Sequence, residues 1–144
     1  MNKVINLSSQ MEEIIISICK QYNWPYKIDS DNIIFEVALT NNRTQACSAT
    51  LVTTRFGQCV HVQSPIGKLN EVNLASIAKQ IFRLQYDMVY SRLSVIDVQN
   101  EETIILLART LVNIINENEL FNMIQEVAIT ADSLENDLFQ KDEF

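Results

Sequence analysis

The feature that most constrains the fold is a pair of apolar runs on either side of the polar stretch Gln99–Glu102. The first run reads SVIDV and the second reads TIILLARTLV. Apolar runs that flank a short polar turn are typical of a β-hairpin, and we predict strands at Tyr90–Val98 and Thr103–Val112. If the strands pair around Asn100 and Glu101, alternate side chains share one face. The predicted core face carries Leu93, Val95, Ile104, Leu106 and Ala108.

The opposite face of this hairpin is apolar as well. A sheet face that meets water should be mostly polar, and a large apolar patch rarely stays bare on a soluble monomer. A helix of the same chain, a second copy of the protein, or a segment of a client protein could cover it. We expect Arg92 and Arg109 to rim the patch and to pair with acidic groups of a partner. The residues predicted to bind a client or a second copy are Ile96, Val98, Ile105, Leu107, Arg109 and Leu111.

The rest of the chain alternates between helical and strand periodicity. Apolar residues recur at helical spacing from Met11 to Tyr22, from Leu74 to Met88 behind an Asn73 N-cap, and from Asn116 or Asn118 onward, before a polar tail, QKDEF. Three further strands are predicted at 33–39, 46–55 and 58–64. The order α-β-β-β-α-β-β-α predicts one α+β domain over residues 1–144. We expect an antiparallel sheet of about five strands, with helices packed mainly on one face.

Three local patterns add detail to this prediction. A tight turn at Phe56-Gly57 would place Leu51 opposite Val62 in the second hairpin. The stretch Trp24-Pro25-Tyr26 is expected to form the joint between the first helix and the sheet, rather than a recognition surface. The third helix carries an apolar seam that favours core packing, with its distal half a candidate for docking on another chain. The seam residues are Leu120, Ile124, Val127, Ala131, Leu134 and Leu138.

Composition argues against several classes of partner. The formal net charge of −7 opposes binding to nucleic acid and to anionic membrane surfaces. No segment approaches the roughly 20 consecutive apolar residues of a membrane span. The start of the sequence, MNKVINLSSQMEE, has no apolar core of a secretory signal. We therefore predict a soluble, cytoplasmic protein.

The residues that carry chemistry are few. Cys19, Cys47 and Cys59 show no CxxC spacing and are expected to be buried, reduced thiols. His61 is the single histidine, and we expect a structural role on the sheet rather than catalysis or metal binding. With two glycines in the chain, a glycine-rich phosphate loop is excluded. Paired carboxylates fall at predicted turns and termini, where solvation explains them. No catalytic residue, metal or cofactor is predicted.

The element order and the closing stretch ELFNMIQEVAITADSLENDLF carry a resemblance. The chain resembles the type III secretion chaperone-like fold, including bacterial YbjN-type families, in which a final helix with an Ala-Asp pair (here Ala131-Asp132) follows the last hairpin. The resemblance covers nearly the whole chain. It implies a small, acidic, non-enzymatic protein that forms homodimers and holds an extended client segment. YbjN-like proteins are common in cyanobacteria, and a subset of the fold is associated with carboxysome assembly.

The sequence therefore favours a protein-binding assembly chaperone or adaptor over an enzyme. A carboxysome shell assembly factor is the most specific form of this hypothesis. The alternative is a small-molecule-sensing regulatory domain, which would require a pocket between sheet and helices.

Overall fold

The computed structural model describes residues 7–139, which fold into three α-helices and six β-strands. The helices are α1 (Leu7–Gln21), α2 (Leu74–Asp87) and α3 (Glu117–Phe139). The strands are β1 (Tyr26–Asp29), β2 (Asn32–Ala38), β3 (Thr44–Thr54), β4 (Gly57–Lys68), β5 (Ser91–Val98) and β6 (Glu101–Leu111). The predicted α+β class is confirmed. The polar tail, 140–144, lies outside the described residues.

All neighbouring strands are antiparallel, in the order β1-β2-β3-β4-β6-β5. The last hairpin therefore joins the first four strands through β6, which pairs with β4 from Cys59↔Leu111 to Lys68↔Thr103. A strand with neighbours on both sides is shielded along both edges. This position accounts for the run of buried residues from Ile104 to Ala108.

The core lies between one face of the sheet and helices α1 and α3. Phe35, Val62 and Leu106 are among its fully buried sheet residues. The predicted seam of α3 faces this core: Leu120, Ile124, Val127, Ala131 and Leu134 are buried, and Leu138 is half-buried. The distal half of α3 therefore packs on its own sheet. A Cβ atom at Gly67 would lie 2.5 Å from the Phe139 ring, so glycine leaves room for the end of the helix.

Two asparagines begin helices as their side chains predict. The Asn73 side chain accepts a hydrogen bond from the Ser76 amide at 3.3 Å, at the start of α2. Asn116 accepts one from the Glu119 amide at 2.8 Å, and its own amide reaches back to the Glu119 carboxylate at 3.4 Å. Reciprocal caps of this kind satisfy amide groups that have no partner inside the helix.

Both tight hairpins turn one residue earlier than predicted. Arg55 and Phe56 form the first turn, which the Thr54 hydroxyl closes by accepting from the Phe56 amide at 3.1 Å and donating to the Gly57 carbonyl at 2.9 Å. Leu51 therefore pairs with Val60, and the predicted pairing with Val62 is wrong. The second turn lies at 99–100, where both residues have positive φ. A shift of the turn by one position moves the pairing by two residues, so every side chain keeps its predicted face.

The sheet has one strand more than the sequence indicated, because β1 continues directly from the predicted aromatic joint. Trp24 itself is buried and stacks with Phe35, Phe121 and Tyr22 at centroid distances of 6.2, 6.0 and 5.5 Å. The joint between the first helix and the sheet is therefore confirmed for Trp24. Tyr26 instead opens an edge strand whose four residues are all exposed.

A single carboxylate fixes the connection between α2 and β5. Glu126 of α3 accepts hydrogen bonds from the Val89, Tyr90 and Ser91 amides at 3.0, 2.8 and 2.8 Å, and from the Ser91 hydroxyl at 2.6 Å. Burial raises the pKa of this carboxyl, but the bonds from Ser91 and the three amides outweigh burial and hold the pKa below its ordinary value. The charged form of Glu126 therefore stabilises the fold.

We expect Glu126→Gln to lower the free energy of unfolding by about 1–3 kcal/mol at neutral pH, because an amide nitrogen cannot accept the bonds that a carboxylate oxygen accepts. A depressed pKa contributes stability that is present above the unfolded value, near 4.5, and is lost as the pH falls through the folded value. The difference in the free energy of unfolding between wild type and Glu126→Gln should therefore shrink below about pH 4.5. Urea titrations across pH measure it.

Glu135→Gln is the matched control, since Glu135 lies on the same helix and makes no side-chain hydrogen bond in the described part of the chain. It should leave stability within about 0.5 kcal/mol of wild type. Equal effects of the two variants would show that Glu126 does not act through its hydrogen bonds.

Candidate protein-binding surface

The six residues predicted to bind a partner lie on one face of the sheet, opposite the main core. Alternation along β6 separates Ile105, Leu107, Arg109 and Leu111 from the core residues between them. Ile96 and Val98 lie on the same face of β5, where Ile96 pairs with Thr103 and Val98 with Glu101. We call this set the outer hairpin face: Ile96, Val98, Ile105, Leu107, Arg109 and Leu111.

The six residues differ greatly in how much surface they offer. Ile105 is 1% exposed and Leu107 is 5% exposed, whereas Val98 is 43% exposed. Arg109 is exposed, and Ile96 and Leu111 are half-buried. The most apolar positions therefore form the floor of the face, and a partner would contact mainly its rim. The prediction that these residues share one face is confirmed, but the accessible apolar area is smaller than predicted.

Neighbouring strands account for the burial of the floor. The register places Pro65 of β4 and Ser94 of β5 on either side of Ile105. Gln63 and Arg92 flank Leu107 in the same way. Long side chains on adjacent strands lie within reach of each other, so the flanking residues shelter the floor within one chain.

Hydrogen bonds link polar side chains across this face from β6 to β4. The Arg109 Nε–H donates to Nδ1 of His61 at 2.8 Å, and Nε2 of His61 lies 2.6 Å from Oε1 of Gln63. Because arginine can only donate, Nδ1 must accept, and the ring proton must sit on Nε2 and point to Gln63. The histidine is therefore held neutral in one tautomer, and it orients the Arg109 side chain.

The surroundings of His61 favour its neutral form. Burial lowers the pKa of the imidazole, the hydrogen bond with Gln63 opposes this, and the positive charges of Arg109 and Arg92 lower it further. The predicted structural role fits this position. In the part of the chain that the structure describes, no group of three His, Cys, Asp or Glu side chains is placed to hold a metal ion.

The three cysteines are buried free thiols. Burial raises the pKa of Cys19 to about 11 and that of Cys47 to about 12, where the Ser64 hydrogen bond opposes the rise. A thiol with such a pKa is almost entirely protonated at neutral pH and is a poor nucleophile. The geometry of these residues fits core packing rather than nucleophilic chemistry.

Helix α2 presents apolar residues to solvent, which the sequence reasoning missed. Leu74 and Phe82 were predicted on its buried side, but both are exposed, Phe82 at 71%. Phe82 and Tyr86 are four residues apart and lie on the side away from half-buried Ile81. We call the exposed set the α2 stripe: Phe82, Tyr86 and Val89. Both aromatic residues of this helix, Phe82 and Tyr86, lie on the exposed side, and the helical spacing gave no signal that this side faces away from the core.

Within residues 7–139, the edge strand β1 leaves backbone groups without a partner strand. The Glu36 amide donates to the Pro25 carbonyl at 3.0 Å, so hydrogen-bonded pairs alternate from this position. By this alternation, the amides and carbonyls of Tyr26 and Ile28 point away from β2. The Ile28 side chain is exposed beside them. Such an edge can accept another strand.

The space between helix α1 and the sheet is small. A cavity there, lined by Met11, Ile15, Ile33, Ala49 and Val60 among others, holds about 20 Å³, which is enough for one water molecule. This cavity is too small for the ligand of a small-molecule sensor. A larger open cleft of about 440 Å³ lies between the end of β2 and helix α3, lined by Leu39, Gln125 and Ile129 among others, so the sensor alternative stays a prediction. Among residues 7–139, no helix combines the length and the apolar character needed to cross a bilayer.

No protein-family model and no curated protein sequence matches the chain. Among solved structures, it is similar to a chain in the crystal structure of the ExsC–ExsE complex, with a TM-score of 0.61 and 11% sequence identity over 93% of this chain and 97% of that chain. Similarity at this identity shows the fold. The two chains therefore share a fold, while membership of the type III secretion chaperone-like group, membership of a YbjN-type family and a cyanobacterial origin stay predictions.

We expect the single imidazole to titrate below the ordinary histidine value of 6.5 in the folded protein. Because the pKa of His61 is lower in the folded than in the unfolded protein, the neutral imidazole contributes to the stability of the fold. This contribution is complete above the unfolded pKa and is lost as the pH falls through the folded pKa. Arg109→Met removes one of the charges and should raise the pKa of His61. Proton NMR of the ring resonances measures both values without assignment, because the chain has one histidine.

Lys20→Met is the control, since Lys20 is an exposed cation on helix α1. It should leave the His61 titration where it is in the wild type. A histidine that titrates at or above 6.5 in the wild type would contradict the described environment.

Proposed function

We propose that this chain is a non-enzymatic binding protein, an assembly chaperone or adaptor that holds a short extended segment of a client. The observation that carries the proposal is the outer hairpin face, a row of apolar residues on the side of the sheet opposite the main core. Similarity to a chaperone–effector complex supports it, because that fold holds a protein ligand in another context. The predicted cytoplasmic location fits this role.

The mechanism that we propose is packing of client side chains on the rim of the outer hairpin face. Strand pairing at the free edge of β1, on the opposite side of the sheet, is a separate mode of contact. Ordering a flexible segment costs conformational entropy, which offsets much of the contact free energy. We therefore propose micromolar rather than nanomolar affinity, which suits a client that must later be released. A carboxysome shell protein as client stays a prediction from the resemblance.

We further propose that the protein is a homodimer that pairs through the α2 stripe. Ala75 and Ala78 lie on the same side of the helix as Phe82 and Tyr86, so an antiparallel pair sets large side chains over small ones. The helix also carries basic Lys79 before acidic Asp87, and antiparallel pairing brings these unlike charges together. A surface of this kind is self-complementary about a twofold axis.

Val98→Asp tests client capture. A selection from a random 12-residue display library on the wild type should yield peptides with alternating apolar residues, and Val98→Asp should bind these peptides at least about tenfold more weakly. Val95→Asp is a closely matched control, because Val95 is 42% exposed on the opposite face of the same strand. Titrations followed by fluorescence anisotropy measure the affinities. Equal losses in both variants, or no enrichment from the library, would contradict the proposal.

Leu107→Asp is unsuitable for this test. Since Leu107 is almost fully buried, a carboxylate there would be desolvated and the variant should unfold. A loss of binding would then report on stability.

Solution mass tests self-association. Light scattering over a concentration series should give a dimer for the wild type and a folded monomer for Phe82→Glu/Tyr86→Glu, because two desolvated carboxylates would oppose the interface. Phe56→Glu is the control, since Phe56 is an exposed aromatic residue on the β3–β4 turn. A wild type that is monomeric at every concentration would overturn the dimer.

A further inference from the structure

The outer hairpin face carries two arginines that lack acidic partners. The chain has 18 acidic and 11 basic residues, yet neither Arg92 nor Arg109 forms a salt bridge within the described residues. Both side chains are exposed. The ion pair recorded on this face, Lys68 with Glu101 at 2.9 Å, lies at the far end of the hairpin. Two cations without salt bridges among the described residues therefore form a locally positive site on the surface of an acidic protein.

The two guanidinium groups lie close enough to act on one anion. Arg92 pairs with Leu107 across the hairpin, and Arg109 follows Leu107 two positions along the same face of β6. Diagonal neighbours of this kind are about 7–8 Å apart at the backbone, within reach of two long side chains. Both positive charges also act on His61, which places them around the same ring.

His61 prepares Arg109 for this task. Its Nδ1 accepts the Arg109 Nε–H at 2.8 Å, and no hydrogen bond within residues 7–139 uses the two terminal nitrogens of the guanidinium. Arginine binds carboxylates through paired N–H groups in a planar fork. A side chain that is already oriented loses less entropy when it binds. The site therefore suits a carboxylate from the side chain of a partner.

The apolar part of the face sets the spacing of a ligand. From Arg92, the same face of β5 continues through Ser94 to Ile96 and Val98. At about 3.3 Å per residue, Ile96 lies roughly 13 Å from Arg92. An extended client segment along this face would therefore carry an acidic residue beside Arg92. One apolar residue would lie four positions from it, and a second would lie six positions from it.

We propose that the outer hairpin face selects client segments with an acidic residue, one apolar residue four positions from it and a second apolar residue six positions from it. The acidic residue binds between Arg92 and Arg109, and the apolar residues pack on Ile96 and Val98. The inference rests on the proposed capture of a client, and it adds the chemistry of that client. Charge complementarity favours an acidic segment of another protein as the occupant.

The random 12-residue library provides the test. Peptides enriched on the wild type should carry Asp or Glu at the stated spacing from apolar residues. The enriched peptide should bind Arg92→Gln about fivefold more weakly, since an exposed ion pair contributes up to about 1 kcal/mol. Lys20→Gln loses the same charge elsewhere on the surface and should bind as the wild type does. The peptide should also shift the ring resonances of His61 and raise its pKa, because its carboxylate opposes the arginine charges.

Each other outcome has a separate meaning. Enriched peptides that lack an acidic residue, or equal affinity of wild type and Arg92→Gln, would overturn the acidic selectivity and leave client capture intact. The absence of any enriched peptide would remove the proposed function and this inference with it. A change in solution mass of Arg92→Gln without peptide would show that a second copy occupies the face, which also overturns the inference.

Discussion

The pairing of β4 with β6 is the constraint on which the rest of the structure depends. It joins the first four strands to the last hairpin, and it makes β6 an inner strand. The chain leaves β4 at Lys68, beside Thr103, and returns at Ser91, beside Ala108. The connection must therefore travel back along β6, and 14 helical residues cover about 21 Å, which suits this distance. Helix α2 is thus the crossover that the sheet order requires, and Glu126 fixes its far end.

Much of this architecture could be predicted from the periodicity of the sequence. The start of α2 followed from the side-chain chemistry of Asn73, the start of α3 was left open between Asn116 and Asn118, and the buried seam of α3 followed from its spacing. Local patterns gave the faces of each hairpin but missed the turn positions, because Thr54 closes one turn through side-chain bonds. Strand β1 was missed because it has only four residues, all of them exposed, and the alternation of Tyr26 and Ile28 with Lys27 and Asp29 is too short to separate a strand from a loop. An edge strand gains much of its order from its neighbour, which a local pattern does not record.

The sequence predicted which residues share the candidate surface but not how deeply each of them is buried. Sequence alternation places Ile105 and Leu107 on the outer face, yet burial depends on which strands lie beside β6. That order is a long-range property of the sheet. The polar chain of Arg109, His61 and Gln63 was missed for the same reason, since 48 residues separate His61 from Arg109. The exposed side of α2 was misassigned because the identity of an apolar residue does not show whether it faces the core or a partner.

The proposed surfaces lie on separate parts of the molecule, and this matters for the proposed binding role. Strands β1 and β5 are opposite edges of the sheet, about 24 Å apart at five interstrand spacings. Helix α2 lies beside the β5 edge, where Gln85 accepts a hydrogen bond from the Leu93 amide at 2.9 Å. This contact occupies part of the β5 edge, whereas the outward backbone groups of β1 stay available. A second copy on α2 would therefore leave strand addition at β1 possible in both subunits, so self-association and client binding need not compete.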